Sequence, residues 1–385
     1  MFEIDDVKGQ TAKIKVVGIG GAGGNAVNNM IASNLQGVEF IAINTDTQVL
    51  ETSLAPVKVQ IGASITKGLG AGSNPQIGRQ SALEDRAFLT EVLEGADMVF
   101  ITAGMGGGTG TGASPVVANV ARELGALTVA IVTKPFFYEA KTRAINAEEG
   151  IRELRSNVDT IIVIPNDRIA LVVDKNTPLL KGFSVANDVL RQAVQGISDI
   201  ILKPGLINVD FADVRTIMQN TGKAVMGTGI GKGEGGAAEA AKKAILNPLL
   251  EDSTIDGARG ILFNITGGVN LSLSDVQEAA SIIYDSAHEN ATIIIGNVID
   301  PDIDGEVRIT VIATGFEEKK EKAEMPQIKK WSPVSEAVAL KASGRFLSKN
   351  LGPGMVVNTA SSDLLPYEDP LDVPTFMRKM PQREM

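Results

Sequence analysis

Two glycine-rich runs hold the residues whose types and spacing speak most directly of chemistry. Gly18-Ile19-Gly20-Gly21-Ala22-Gly23 follows a β-branched apolar run and precedes a helical stretch, with glycines at 18, 20 and 23. That spacing is a dinucleotide-fold fingerprint, because a turn without side chains lets backbone N–H groups reach a phosphate at a helix N-terminus. Alone, it also fits a tight strand-to-helix turn that binds nothing. The second run, Gly104-Met105-Gly106-Gly107-Gly108-Thr109-Gly110-Thr111-Gly112-Ala113, is denser, with six glycines in ten residues. Thr109 and Thr111 add hydroxyls that can meet phosphate oxygens or a metal ion. A structural run of this density would lose glycine's conformational entropy repeatedly with nothing gained. Two such loops at the carboxyl ends of parallel strands imply a polyphosphate held between two helix N-termini. The P-loop pattern is absent, since Gly222-Lys223 and Gly231-Lys232 are followed by Ala224 and Gly233 rather than Ser or Thr.

The elements that must position these loops are legible from periodicity. Apolar runs at 13–19, 38–44, 98–103, 127–133 and 160–165 alternate with Gly-rich turns and Ala-rich stretches. Near-continuous apolar runs suit strands covered on both faces, which predicts a parallel α/β sheet. A long helix is expected over 178–203, with Leu190, Val194 and Ile197 on one stripe and a stop at Lys203-Pro204-Gly205. Strands at 225–229, 260–266, 291–298 and 306–314, with helices at 237–246 and 274–288, predict a second, smaller α/β domain. The expected division is an N-terminal extension 1–12, a nucleotide-binding domain 13–177, a central helix 178–204, a C-terminal domain 205–316, a disordered charged linker 317–370, and a docking peptide 371–385.

Composition narrows the function further. The 385 residues carry a net charge of −10 and only 4% aromatic residues, which argues against nucleic acid as a partner. With no Cys and one His, thiolate zinc sites, Cys nucleophiles and His-rich metal centres are excluded, so any metal is oxygen-bound. The single His288 reads as a cation near the end of a helix rather than a catalytic group. Phe2-Glu3-Ile4-Asp5-Asp6 is no secretory start, and no uncharged apolar stretch is as long as a membrane span, so a cytoplasmic protein without direct membrane insertion is expected.

Gly106-Gly107-Gly108-Thr109-Gly110-Thr111-Gly112 matches the tubulin signature, and the chain as a whole resembles the FtsZ family of bacterial tubulin relatives. The resemblance implies a tubulin-like α/β fold and GTP-dependent assembly into the cytokinetic ring. It assigns the diphosphate to Gly21, Ala22, Gly23, Gly24 and Asn25, and the β- and γ-phosphates to Gly108, Thr109 and Gly110. Ala22 stands where Gly is common, a change its backbone N–H tolerates. Asn44-Thr45-Asp46 and Gly70-Ala71-Gly72-Ser73-Asn74 resemble the loops that sense the γ-phosphate and Mg²⁺. A carboxylate accepting from N1–H and the 2-amino group would select guanine, and Asp188 is the candidate, with Phe183 stacking on the base and Asn166 adding a polar contact. Glu139 and Arg143 match ribose-contacting positions, although four-residue spacing also fits a solvated ion pair. In Asn208-Val209-Asp210-Phe211-Ala212-Asp213-Val214, Asp210 can cap the next helix. The resemblance makes this the catalytic loop, with Asp210 and Asp213 polarising water and Asn208 positioning it in the neighbouring subunit's site. A nucleotide at one end and its activating loop at the other give a head-to-tail contact that grows filaments. The peptide 371–379 would bind membrane-tethering and regulatory partners at the division site.

Two rivals compete. An NAD-dependent Rossmann oxidoreductase would use Gly18–Gly23 and Asp46, yet gives the second glycine run no role. A non-enzymatic nucleotide-gated scaffold of the same superfamily differs only through Asp210 and Asp213.

Overall fold

The computed structural model describes residues 12–169, 171–174, 176–203, 209–249, 255, 257–301, 303 and 305–316. Asn208, the expected linker 317–370 and the expected docking peptide 371–385 lie outside the described residues, as does all but Ala12 of the N-terminal extension.

Ten strands form one sheet: β1 (Ile14–Ile19), β2 (Val38–Asn44), β3 (Val57–Gln60), β4 (Met98–Gly104), β5 (Leu127–Lys134), β6 (Thr160–Pro165), β7 (Gly222–Lys232), β8 (Gly260–Gly267), β9 (Thr292–Ile299) and β10 (Glu306–Thr314). Their order is β3-β2-β1-β4-β5-β6-β7-β10-β8-β9. Every pair from β3 to β7 is parallel. β7 is shared: Gly222, Lys223 and Ala224 pair in parallel with β6, and from Val225 onward the strand pairs antiparallel with β10. β10 then pairs antiparallel with β8, and β8 in parallel with β9.

The helices in chain order are α1 (Gly20–Ala32), α2 (Thr47–Glu51), α3 (Ala63–Thr66), α4 (Pro75–Glu84), α5 (Arg86–Leu93), α6 (Thr109–Glu123), α7 (Lys141–Asn157), α8 (Asn166–Ile169), α9 (Leu179–Leu202), α10 (Phe211–Met218), α11 (Gly236–Ile245) and α12 (Leu273–Asp285). Alternate residues of each central strand face opposite layers. Val16, Phe100 and Val129 pack with Val27 of α1 and Val194 of α9, while Val17, Ile101 and Ala130 pack with Val117 of α6 and Leu154 of α7. Both faces being covered is why these strands read as unbroken apolar runs. In the C-terminal part of the sheet, Gly227, Gly229 and Gly231 of β7 lie directly beneath α11, where a Cβ would come within 2.0 Å of Ala244 O and Ala240 O and 1.9 Å of Gly236 O.

α9 has 24 residues and is about 36 Å long at 1.5 Å per residue. Its Leu202 packs against Gly37, which precedes β2 at the amino edge of the parallel sheet. The helix thus crosses the sheet from its carboxyl edge to its amino edge and delivers residues 209–213 there. His288 lies beyond the end of α12 rather than in its last turn, and its Nδ1 accepts from the Asn290 N–H at 3.2 Å.

Candidate functional site

At the carboxyl edge of the parallel sheet, β1 runs into α1 and β4 into the glycine loop before α6. The two turns touch: Gly20 has φ +72°, and a Cβ there would stand 2.9 Å from Gly110 N. Glycines of the two runs divide into two kinds. Gly23 and Gly112 are needed for close backbone approach, since a Cβ would meet Thr102 O at 2.3 Å and Pro75 O at 1.9 Å. Gly21 and Gly107 face open space within the cleft, where a side chain would occupy the room of a ligand.

The two helix N-termini at this point carry no side-chain cap, as is also true of α3, α5, α7, α9 and α11. α2, α4, α10 and α12 are capped by the side chains of Asp46, Asn74, Asp210 and Ser272. Neither α1 nor α6 has a side-chain cap or an acidic residue in its first turn. Each presents unpaired N–H groups and a partial positive charge of about half a unit to the cleft, a site prepared for an anion.

The cleft has a volume of ≈ 450 Å³, within the range of small-molecule sites. It brings together Gly21, Ala22, Asn44, Asp46, Gly108, Thr109, Gly110, Glu139, Arg143, Asn166 and Phe183. Thr109 shares a 2.7 Å hydroxyl contact with Thr45, which joins the second glycine loop to the β2–α2 turn. Asp46 Oδ1 accepts from Gln48 N at 3.0 Å and Val49 N at 3.3 Å, which fixes the carboxylate at the rim. Thr111, by contrast, is spent on the fold, its hydroxyl accepting from Gly106 N at 2.8 Å. Glu139 and Arg143 do form the ion pair their spacing allows, at 2.6 Å, and still line the cleft. Asn166 is 6% exposed and its Oδ1 has no hydrogen-bond partner, a buried acceptor beside the cleft that a ligand donor would satisfy.

Other predicted residues fall outside this cleft. Gly23 is structural as described, and Gly24 and Asn25 line a small adjoining cavity of ≈ 20 Å³, enough for one water. Gly72 is in the same loop as Gly70 and Ser73, which do line the cleft. Asp188 is turned away, its carboxylate accepting from Arg191 Nε and Gln192 Nε2, each at 2.7 Å. Asn187 takes the cleft-facing place. The reason is helical geometry: Phe183, Asn187 and Leu190 recur at steps of four and three, and Asp188 falls one step of 100° off that stripe. The four-residue step from Phe183 was the signal that could have found Asn187.

Asp210 and Asp213 are far from this cleft. Asp210 caps α10 by accepting from Asp213 N at 2.8 Å, and both residues are exposed. On the same helix Arg215 donates to Asp97 O and Gly125 O, the turn carbonyls just before β4 and β5. α10 therefore lies at the amino edge, and β4 alone, seven residues long, separates the two edges by about 23 Å.

The solved structures first set the class. The chain superposes on an empty FtsZ dimer from M. jannaschii with a TM-score of 0.77 and 45% identity, covering 80% of this chain and 89% of that one. It also shares its fold with CetZ2 from Haloferax volcanii, a GTPγS-bound protofilament, at a TM-score of 0.69 and 20% identity, covering 80% and 94% of the two chains. The fold is that of the tubulin-like GTPases. The sequence comparisons then give the family. Residues 13–174 match the Tubulin/FtsZ family GTPase domain and residues 222–317 the FtsZ family C-terminal domain. Cell division protein FtsZ from Coxiella burnetii is 56% identical over 316 residues, 82% of each chain. Its namesake from Pseudomonas aeruginosa is 56% identical over 322 residues, 84% of this chain and 82% of that one. The chain belongs to the FtsZ family, the filament-forming GTPases of cell division, and binds guanine nucleotide. The dehydrogenase alternative has no support in these matches.

Proposed function

We propose that this chain hydrolyses GTP only where two copies meet head to tail, as the working unit of a division filament. One observation carries this reading. Two uncapped helix N-termini converge on a cleft at one edge of the sheet, while the carboxylates assigned to hydrolysis, Asp210 and Asp213, sit at the opposite edge. About 23 Å of strand separates them, so one copy cannot complete its own site. A second copy stacked on the cleft can, and such a heterologous contact repeats into a filament.

In this reading the backbone N–H groups at Gly21, Ala22, Gly108 and Gly110 hold the phosphates, with the Thr109 hydroxyl beside them. Phe183 carries the base, and Asn187 rather than Asp188 reads its edge. The amide oxygen accepts from guanine N1–H or the 2-amino group, where adenine presents an acceptor at N1. Glu139 and Arg143 meet the ribose. Asp210 and Asp213 of the neighbouring copy polarise the attacking water, and Asn208, outside the described residues, helps to position it.

Mg²⁺ fits the oxygen donors available. Among the described residues no cluster of three His, Asp or Glu side chains exists, which suits an ion held by phosphates and waters with support from Asp46 and Thr109. When bound it neutralises phosphate charge. Among the described residues no helix is long and apolar enough to cross a membrane. Attachment at the inner face of the division site falls to partners of the peptide 371–379.

The test is the rate of phosphate release per subunit across a dilution series, alongside light scattering. We expect turnover to rise sharply above a threshold concentration. A specific rate that stays constant down to high dilution contradicts the shared site.

A further inference from the structure

Behind the cleft, three rings stand in a column. Phe136 stacks on Tyr138 with centroids 5.1 Å apart and 12° between planes, and meets Phe183 edge-on at 5.4 Å and 86°. Phe183 lines the cleft and is 38% exposed, whereas Phe136 is 9% exposed and does not line it. The backbone N–H of Phe136 donates to Glu139 Oε1 at 2.9 Å, and Glu139 Oε2 accepts from Arg143 at 2.6 Å. One residue outside the cleft thus touches the ring assigned to the base and the carboxylate assigned to the ribose.

We infer that Phe136 is the positioning residue of the nucleoside half of the site, holding Phe183 in the orientation on which a base stacks. The inference rests on the reading that the base lies on Phe183. A half-exposed phenylalanine on a helix face must be ordered before it can stack, and ordering it in advance removes part of the cost of binding. The edge-on contact with Phe136 does this because the positive ring edge meets the negative face of its neighbour, a preference of definite geometry. Tyr138 closes the column from behind and restrains Phe136 in turn. Among the described residues, Phe136 provides the only ring contact to Phe183.

The experiment compares two ligands on the full-length protein by calorimetry with Mg²⁺ present: GDP, which uses the whole site, and inorganic tripolyphosphate, which uses only the glycine loops. Phe136→Leu is expected to weaken GDP roughly three- to tenfold, the range of one aromatic pair, and to leave tripolyphosphate unchanged. Tyr138→Leu should weaken GDP in the same direction by less. Equal weakening of both ligands by Phe136→Leu would reduce the residue to general core packing and overturn the inference, as would no change in either. Phe183→Leu separates the two levels. If it weakens GDP selectively while Phe136→Leu does not, positioning by Phe136 is wrong and the base site stands. If Phe183→Leu leaves the ratio of the two affinities untouched, the base does not lie on Phe183 and the inference falls with that reading.

Discussion

Asn187 and Asp188 are adjacent in sequence and lie in different environments. Asn187 faces the cleft, while the Asp188 carboxylate is held between Arg191 and Gln192 on the flank of α9. An alanine at 187 removes one neutral hydrogen bond to the base, so Asn187→Ala is expected to weaken GTP about three- to tenfold and to narrow its preference over ATP. Asp188→Ala should change neither by more than about twofold. Equilibrium binding of both nucleotides to both variants decides it, and the opposite ranking would restore the carboxylate to the base. The sequence alone favours Asp188 over its neighbour because a charge that selects guanine on chemical grounds says nothing of the 100° step that places a side chain in the cleft. At Asp210 the local reading and the family reading coexist: the residue does cap α10, and its exposure leaves it open to a second copy.

Among the elements, α9 carries most of the consequence. Near its foot Asp199 is buried, bonded to Lys203 at 3.0 Å and approached by Gln195 at 3.3 Å. Burial pushes its carboxyl above the usual carboxylate range, Lys203 and Gln195 pull it back, and Asp300 adds a smaller push upward. A raised value in the folded state means that the residue's contribution to stability is full below the ordinary carboxylate range and is lost as pH rises through the folded value. Asn cannot titrate, so the melting temperature of Asp199→Asn relative to the unaltered protein should increase from about pH 4 towards neutrality and then level off. A difference that shrinks with rising pH would mean that the Lys203 pair outweighs burial.

The same scale shows what periodicity could and could not reveal. The runs at 38–44 and 160–165 coincide with β2 and β6, since strands buried on both faces leave an unmistakable apolar signature. The apolar pattern marks β7 only over 225–229, yet the strand extends over Gly222–Lys232, because its alternate positions are the glycines over which α11 lies and carry no apolar signal. A helix is expected after the second glycine run from 114, and α6 starts earlier, at Thr109 inside the run, where low helix propensity conceals its first turn. β3 is only four residues long and was not anticipated.

For the whole molecule, the proposed division of one reaction between two copies makes complementation the decisive expectation. Asp213→Ala should assemble with GTP and hydrolyse poorly, since its own cleft is intact. A second variant, Gly107→Val, fills the open side of the cleft and should bind no nucleotide while keeping an intact α10. Mixed, the two should recover hydrolysis, with the nucleotide of the first activated by the loop of the second. Phosphate release from the mixture no greater than the sum of the separate proteins would place both halves of the chemistry in one copy.

β7 joins the parallel and antiparallel parts of the sheet, through three parallel pairs to β6 and eight antiparallel pairs to β10. During synthesis β6 is made about sixty residues before the strand that will cover it, so its outer row of amides and carbonyls waits as a bare template for any passing strand. The nucleotide half of this chain is therefore unfinished until Gly222, Lys223 and Ala224 have left the ribosome. Any truncation short of them should yield an aggregating fragment rather than a smaller domain.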